Sequence, residues 1–240
     1  LYAVHTPLMA DNRFIDRYTH KGLPPQEEKY ASMIESMDKA LGDVLDFVEN
    51  QGIEDHTVIL FMSDNGGLSA VGRGGEKHNA PLRSGKGSIY EGGIRVPMLA
   101  YWPGVTPINK TEETSLIIED FYPTLLNIAG ISSYTSVQTL DGKDFTNLLK
   151  GETLDTTERP LFWHYPNDWG PSGPGIGSFS AVRKGAWKLI YFHNDQHLEL
   201  YHLPTDIGEQ HNLVSKEPER TRALAQVLTA YLIEVNAQMP

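Results

Sequence analysis

The sequence predicts an α/β fold with a mostly parallel or mixed central sheet and flanking helices, followed by a smaller C-terminal α+β subdomain. Three observations predict it. Residues 58–62 are five consecutive apolar residues, which is typical of a strand covered on both faces in a parallel sheet. An amphipathic helix pattern precedes this run, so a strand–helix–strand unit is expected. After about residue 133, short strand-like runs follow one another and end in one helix, which indicates an α+β unit.

Within the first part, residues 1–4 are an apolar run that we interpret as a strand, ended by Pro7, because proline cannot donate to a ladder. A helix is predicted from Pro24-Pro25 to Gly52, since proline is tolerated in a first helical turn and glycine is common just after the last. Its apolar stripe consists of Tyr30, Met33, Ile34, Met37, Leu41, Val44, Leu45 and Val48.

The remaining elements follow in order. A strand is expected at residues 98–102, and a helix at 119–129 that would pack on the sheet through Leu125, Leu126 and Ile128. A short helix at 144–150, strands at 161–165, 179–183, 187–192 and 198–203, and a last helix at 218–235 complete the pattern. Lys184-Gly185-Ala186 predicts a tight hairpin. The predicted domains are residues 1–132, part of the α/β domain, and residues 133–240, the α+β subdomain.

Composition excludes several classes of function. The formal charge is −11, which argues against a broad nucleic-acid surface, because phosphate binding needs clustered cations. The 240 residues include no cysteine, so a disulfide, a thiolate metal site and a cysteine nucleophile are excluded within them. No apolar run is long enough to span a bilayer, and no signal peptide is visible. The chain opens inside a predicted strand without an initiator methionine, so we expect it to be a fragment.

Asp64 and Asn65 directly follow the buried run. Ligands bind beyond the carboxyl ends of strands in open α/β sheets, and a carboxylate beside an amide offers hard oxygens to a divalent cation. Gly66 and Gly67 permit a tight turn and close approach to a ligand. The alternative is an ordinary strand-to-turn junction, since Asn-Gly is a common turn signal.

Two further side chains are candidates. His5 lies where the first predicted strand ends, and its alternative is a structural or solvated histidine. Lys86 lies between two glycines in a long basic loop, and its alternative is a solvated cation. This loop does not have the spacing of a phosphate-binding P-loop. Glu91 and Arg95 are expected to pair structurally.

Several motifs together resemble type I sulfatases of the arylsulfatase A kind, within the alkaline phosphatase superfamily. In chain order, these motifs are Ser63-Asp64-Asn65-Gly66-Gly67, Pro81-Leu82-Arg83-Ser84-Gly85-Lys86-Gly87-Ser88, Glu91-Gly92-Gly93-Ile94-Arg95-Val96-Pro97, Tyr122-Pro123-Thr124-Leu125-Leu126 with Ala129-Gly130, and Glu199-Leu200-Tyr201 with Asp206, Gly208-Glu209 and Asn212-Leu213. The resemblance runs almost end to end.

The resemblance implies specific roles. Asp64 and Asn65 would be ligands of a calcium ion, or sometimes magnesium. Lys86 would bind the sulfate group, and His5 would contact the sulfate and the leaving-group oxygen. His78 would face the substrate. His164, at an aromatic strand end, could close over a sugar, with a packed structural histidine as its alternative.

The chain departs from the family pattern in one respect. The family's nucleophile is a formylglycine made from Cys or Ser in a Cys/Ser-x-Pro-x-Arg motif, and this chain has neither residue in that context. The earlier pair of metal-binding aspartates is also missing. We therefore expect half an active site and no activity from this chain alone.

The substrate implied is a sulfated carbohydrate or an aryl sulfate. Alternatives left open are a phosphoric or phosphonic ester hydrolase of the same superfamily and a non-catalytic module on the same scaffold. The resemblance to this family implies a periplasmic, secreted or lysosomal location. Oligomeric state is not predicted.

Overall fold

The computed structural model describes residues 2–68, 78–156, 158–167 and 172–240. The chain divides into two compact units, one formed by Leu1–Ile59 with Tyr101–Thr106 and the other by Leu60–Ala100 with Pro107–Pro240. The predicted division after residue 132 stays a prediction. No helix in the described ranges is long and apolar enough to cross a membrane.

The first unit contains a long helix, α1 (Pro25–Asn50), with 3-10 turns at Ile15–Arg17 and Glu54–His56. Its proline start confirms the sequence prediction. The apolar stripe is only partly covered, however: Val48 is buried, four of its residues are half-buried, and Ile34, Val44 and Leu45 are exposed. Periodicity identifies the apolar face of a helix but does not determine what covers it.

The strand predicted at residues 1–4 is wrong for the described part, because Ala3 and Val4 form a turn. The His5 backbone N–H donates to the Tyr2 carbonyl at 3.1 Å and closes this turn. An apolar run becomes a strand only where another strand pairs with it, and among the described residues none pairs here.

The predicted central strand is confirmed as β1 (Ile59–Met62), which pairs with β2 (Met98–Tyr101) in a two-stranded sheet. All four residues of β1 are half-buried, and Leu99 of β2 is exposed. Within the described part of the chain, coverage on both faces is therefore not seen. A short helix, α2 (Glu91–Ile94), lies between the two strands in sequence.

Two helices precede the C-terminal sheet, α3 (Phe121–Ile128) and α4 (Thr146–Leu149). Thr124 is the buried residue of α3, and its hydroxyl donates to the Asp120 carbonyl at 2.6 Å and accepts from the Phe145 N–H at 2.9 Å. Leu125 is exposed, so the prediction that it packs on the sheet is wrong. The helix packs instead toward α4.

The four predicted C-terminal strands are confirmed as an antiparallel meander. Their bounds are β3 (Pro160–Tyr165), β4 (Phe179–Lys184), β5 (Trp187–Phe192) and β6 (His197–His202). Gly185 adopts φ +55° in the predicted hairpin, a conformation that glycine adopts without a Cβ penalty. The last helix is α5 (Pro218–Glu234).

Alternation along these strands gives the sheet two apolar faces. Val182, Leu189 and Leu200 pack with Leu224 and Leu228 of α5 on one face. The opposite face packs against a segment that precedes β2, which includes Ile89 and Tyr90; Ala181, Ile190 and Tyr201 are its sheet partners. The sheet therefore supports the glycine-rich segment at residues 81–94 on the face away from α5.

Candidate functional site

Two of the glycine motifs lie in direct backbone contact. The backbone N–H of Gly66 donates to the Gly93 carbonyl at 3.0 Å. A Cβ added to Gly66 would lie 1.7 Å from the Gly92 carbonyl oxygen, a distance that no real side chain tolerates. The loop after β1 and the start of α2 therefore depend on glycine to approach one another.

The third motif closes the same contact. A Cβ on Gly92 would lie 2.3 Å from the Arg83 carbonyl oxygen, and one on Gly93 would lie 2.1 Å from the Ser88 carbonyl oxygen. The Gly92 N–H donates to the Arg83 carbonyl at 2.9 Å. The three motifs read from the sequence thus converge at one place through their backbones.

Lys86 is brought to the Asp64-Asn65 loop by this packing. Its backbone N–H donates to the Gly67 carbonyl at 3.0 Å, and the residue is half-buried. The backbone of Lys86 therefore contacts the loop that follows Asp64-Asn65, while the convergence of their side chains stays a prediction.

Asn79 connects the same two loops and was not singled out from the sequence. Its carboxamide nitrogen donates to the Gly67 carbonyl at 3.0 Å and to the Ser84 carbonyl at 2.9 Å, and its oxygen accepts from the Gly67 N–H at 3.2 Å. An Asn-Ala-Pro turn between loops was the available signal, but a single asparagine has many structural roles.

Asp64 and Asn65 have the donor chemistry of a hard-cation site. The Asp64 carboxylate is exposed, and the Ser63 hydroxyl donates to the Asn65 carbonyl at 2.8 Å and shapes the turn. Carboxylate and amide oxygens suit calcium or magnesium. Among the described residues no group of three or more acidic or histidine side chains could hold a metal, so this pair would supply part of a ligand set.

The Gly- and Pro-rich loop at residues 167–177 reaches this region through its described end. Residues 168–171 lie outside the described ranges. The Ser84 and Ser88 hydroxyls, on either side of Lys86, both donate to the Pro174 carbonyl at 2.8 Å. The Ile89 N–H donates to the Gly175 carbonyl at 3.0 Å. The end of the loop is thus anchored beside Lys86.

Arg83 and two tyrosines fasten the segment to the sheet. The Arg83 guanidinium lies 3.9 Å from the Tyr90 ring centroid and donates to the Tyr201 hydroxyl at 3.2 Å. Both tyrosine hydroxyls donate to the same oxygen of Glu199, at 2.7 and 2.9 Å. Burial and the Glu199 carboxylate raise the pKa of both phenols, so they remain neutral hydrogen-bond donors.

His5 lies in the first compact unit, whereas the other candidates lie in the second. Its Nδ1 is 2.8 Å from the Thr6 carbonyl, and since a carbonyl only accepts, Nδ1 carries the proton. Its ring lies 5.0 Å from that of Tyr2, centroid to centroid.

His78 is exposed at the start of a turn that follows residues 69–77, which lie outside the described ranges. Its predicted role stays a prediction.

His164 lies on the α5 face of β3. Its Nε2–H donates to the Gln238 carbonyl at 2.7 Å, so its Nδ1 accepts from the Ser180 hydroxyl at 2.8 Å, which in turn accepts from His193 Nε2–H at 2.8 Å. An apolar cavity of about 480 Å³ opens on this face, and Lys86 does not line it. Because the sheet separates His164 from Lys86, its geometry favours the packed structural role.

Comparison with known proteins identifies the family. The sulfatase family profile matches residues 1–131, and the profile of the C-terminal part of N-sulphoglucosamine sulphohydrolase matches residues 85–238. The chain belongs to the sulfatase family. It is 36% identical to a sulfatase of Formosa agariphila over 98% of the chain and 46% of that protein. It is 27% identical to human N-acetylgalactosamine-6-sulfatase over 99% of the chain and 48% of that protein.

Solved sulfatase structures share the fold. The crystal structure of Ps i-CgsB in complex with k-i-k-neocarrahexaose superposes with a TM-score of 0.80 at 29% identity, over 95% of this chain and 48% of that one. The α/β fold with its antiparallel C-terminal sheet is thereby confirmed. This sulfatase chain spans about half the length of the relatives it matches.

Proposed function

We propose that this chain is the metal- and sulfate-binding part of a sulfuric ester hydrolase that acts on a sulfated carbohydrate or an aryl sulfate. The observation that carries the proposal is the interlock of the glycine motifs, in which the Lys86 N–H donates to the Gly67 carbonyl at 3.0 Å. This contact holds an ammonium-bearing loop against the Asp64-Asn65 loop. A metal ion and a lysine ammonium at one place suit a sulfate group, since free sulfate carries two negative charges.

Lys86 binds the sulfuryl oxygens in this proposal. Cleavage of a sulfate ester develops negative charge on those oxygens and on the departing oxygen, and a fixed cation stabilises that charge without reorganising at the moment of reaction. Asp64 and Asn65 hold the metal ion, with calcium as the proposed ion and magnesium as the alternative. When bound, the ion supplies Lewis-acid stabilisation of the same oxygens.

His5 is proposed as the proton donor to the leaving alcohol. Its Nδ1–H is committed to the Thr6 carbonyl, so only a protonated Nε2 can donate to the departing oxygen. The hydrogen bond at Nδ1 also fixes the orientation of the ring, which is the usual way in which proteins orient a catalytic imidazole.

The nucleophile is proposed to be a formylglycine supplied by residues outside these 240. The chain has no cysteine, and no serine lies in a Ser-x-Pro-x-Arg context. The isolated chain should therefore not turn over 4-nitrocatechol sulfate.

Substrate contacts are proposed at two places near Lys86. The described end of the Pro- and Gly-rich loop, at residues 172–177, is anchored by Ser84 and Ser88 on either side of Lys86. His78 remains a candidate contact, whereas the hydrogen bonds of His164 favour a packed role. A periplasmic or secreted location is proposed from the family alone. Among the described residues, no contact favours a phosphoric or phosphonic ester over a sulfuric one.

The test is a substitution of Lys86 in the polypeptide that carries the formylglycine. Lys86→Met should lower kcat/KM for the sulfate ester by about 10²-fold or more, since that is the usual loss when one charge-stabilising donor is removed. Lys110→Met is the matched control, because Lys110 pairs with Glu112 at 2.7 Å on the surface. Its kcat/KM should be unchanged.

An unchanged kcat/KM in Lys86→Met would contradict the role of this residue. A higher kcat/KM for a phosphate or phosphonate ester than for the matched sulfate ester would overturn the assignment of the reaction.

A further inference from the structure

A buried cluster of charge lies under the segment that carries Lys86. Lys188 of β5 is fully buried, and its ammonium donates to the Ile89 carbonyl at 2.7 Å and to one oxygen each of Glu91 and Glu209 at 2.9 Å. An ammonium has three N–H donors, and all three are used. The glutamates are also buried, with 1% and 0% of their surface exposed.

The cluster closes on itself through the backbone. The second carboxylate oxygen of Glu209 accepts from the Glu91 N–H at 2.7 Å, and the Glu209 carbonyl accepts from Arg83 at 2.8 Å. Glu209 also adopts φ +52°, a left-handed conformation that is uncommon for a residue with a side chain. Residues on both sides of Lys86 are therefore tied to β5 and to the turn after β6.

The pKa values of the two carboxyl groups are shifted in opposite directions. Burial alone raises a carboxyl pKa, but attraction by Lys188, Arg183 and Arg95 outweighs burial at Glu91, whose pKa lies below its ordinary value. Burial prevails at Glu209, whose pKa lies above its ordinary value although Lys188 opposes the shift. The second oxygen of Glu91 makes no hydrogen bond and faces Arg95 and Arg183 at 3.7 and 3.8 Å.

Stability alone does not require such a cluster. Replacing a buried ion pair by apolar residues of similar size is often neutral or stabilising, whereas directional bonds can select one arrangement among several. Here the apolar contacts of Ile89 and the Tyr90 ring fix how deeply the segment sits, but apolar contacts are not directional. The Tyr90 hydroxyl adds one directional bond, to Glu199. The three bonds of Lys188 fix its register along β5.

The position of Glu91 along β5 determines the position of Lys86, because close glycine contacts connect the two residues. Glu91 begins α2, and Gly92 and Gly93 press against the carbonyls of residues 83–88 with no space for a Cβ. The Gly92 N–H donates to the Arg83 carbonyl, and the Lys86 N–H to the Gly67 carbonyl. With contacts this close, the segment cannot shift at Glu91 and stay in place at Lys86.

We propose that Lys188, with Glu91 and Glu209, is a positioning cluster that sets the location of Lys86 against the Asp64-Asn65 loop. The importance of Lys86 rests on the proposed function, but the positioning itself does not. The C-terminal sheet thus positions Lys86 through Lys188, a fully buried cation that does not itself contact the substrate.

The test separates positioning from stability. Lys188→Met alone leaves two buried carboxylates without a cation and can abolish folding, so the decisive variant is Lys188→Met with Glu91→Gln and Glu209→Gln. It removes the charges and the bridging donor together at similar volume. Lys184→Met is the control, since Lys184 forms a surface pair with Glu158 at 2.8 Å.

Amide hydrogen exchange of this 240-residue chain is the readout. In the triple variant the amides of Lys86 and Gly92 should exchange at least about tenfold faster, while the β5 amides and the urea midpoint stay near wild type. Unchanged exchange, or acceleration only in step with β5, would overturn the proposal. Because no sulfate is present, this outcome is independent of turnover in the Lys86→Met experiment.

Discussion

Gly66 offers the sharpest quantitative test of the convergent site. The substitution Gly66→Ala places a Cβ 1.7 Å from the Gly92 carbonyl oxygen and 2.8 Å from its carbon. Ordinary contact begins near 3.4 Å, so one backbone must withdraw by about 1.7 Å. The obstructing atoms are backbone rather than the end of a flexible side chain, so a rotamer change cannot relieve the clash.

The magnitude follows from what that withdrawal breaks. Overpacking of this kind costs about 1–3 kcal/mol, and the Gly66 N–H to Gly93 carbonyl bond, 3.0 Å long, is worth about 1 kcal/mol net. We expect Gly66→Ala to lower the free energy of unfolding by about 2–4 kcal/mol, which is a large share of a typical total of about 5–15 kcal/mol.

Urea unfolding followed by intrinsic fluorescence measures this loss. The matched control is Gly42→Ala in α1, where nothing lies within 4 Å of the added methyl, and which should stabilise by about 0.5–1 kcal/mol because alanine is the better helix former. If Gly66→Ala falls within about 0.5 kcal/mol of wild type, the interlock of the glycine motifs is refuted.

Two further predictions concern the buried Asp120 and the half-buried His193. Asp120→Asn should lower the free energy of unfolding by about 3–5 kcal/mol, because Asp120 is fully buried and pairs with Arg159 at 2.7 and 3.0 Å. Urea denaturation measures this loss, and a loss under about 1 kcal/mol would contradict the prediction. Burial and nearby His164 lower the pKa of His193 in the folded chain. As the pH falls, this histidine is therefore protonated in the unfolded chain before it is protonated in the folded chain. Stability should therefore fall as pH drops from about 6.5 toward the lowered pKa, and His193→Gln should flatten that slope in urea midpoints measured between pH 5 and 7.5. An unchanged slope would remove His193 as its source.

The sequence by itself determined most elements and the identity of the candidate chemistry. The proline start of α1, the four C-terminal strands and α5 are encoded locally, in capping residues and in periods of 2 and 3.6. Asp64, Asn65 and Lys86 could be named because their glycine-flanked motifs are unusual in one stretch of sequence.

Tertiary structure decided what local patterns cannot encode. Residues 1–4 are apolar, yet Ala3 and Val4 form a turn, because a strand exists only through its pairing partner. In the sequence, Lys188 cannot be told from an ordinary strand lysine. Its burial depends on a contact with Glu91, which is 97 residues away in the sequence. From the sequence, His164 could either face a sugar or pack as a structural histidine, and alternation along β3 puts it on the α5 face. Spacing in sequence fixes which residues share a face, whereas only the packed chain decides which neighbour that face meets.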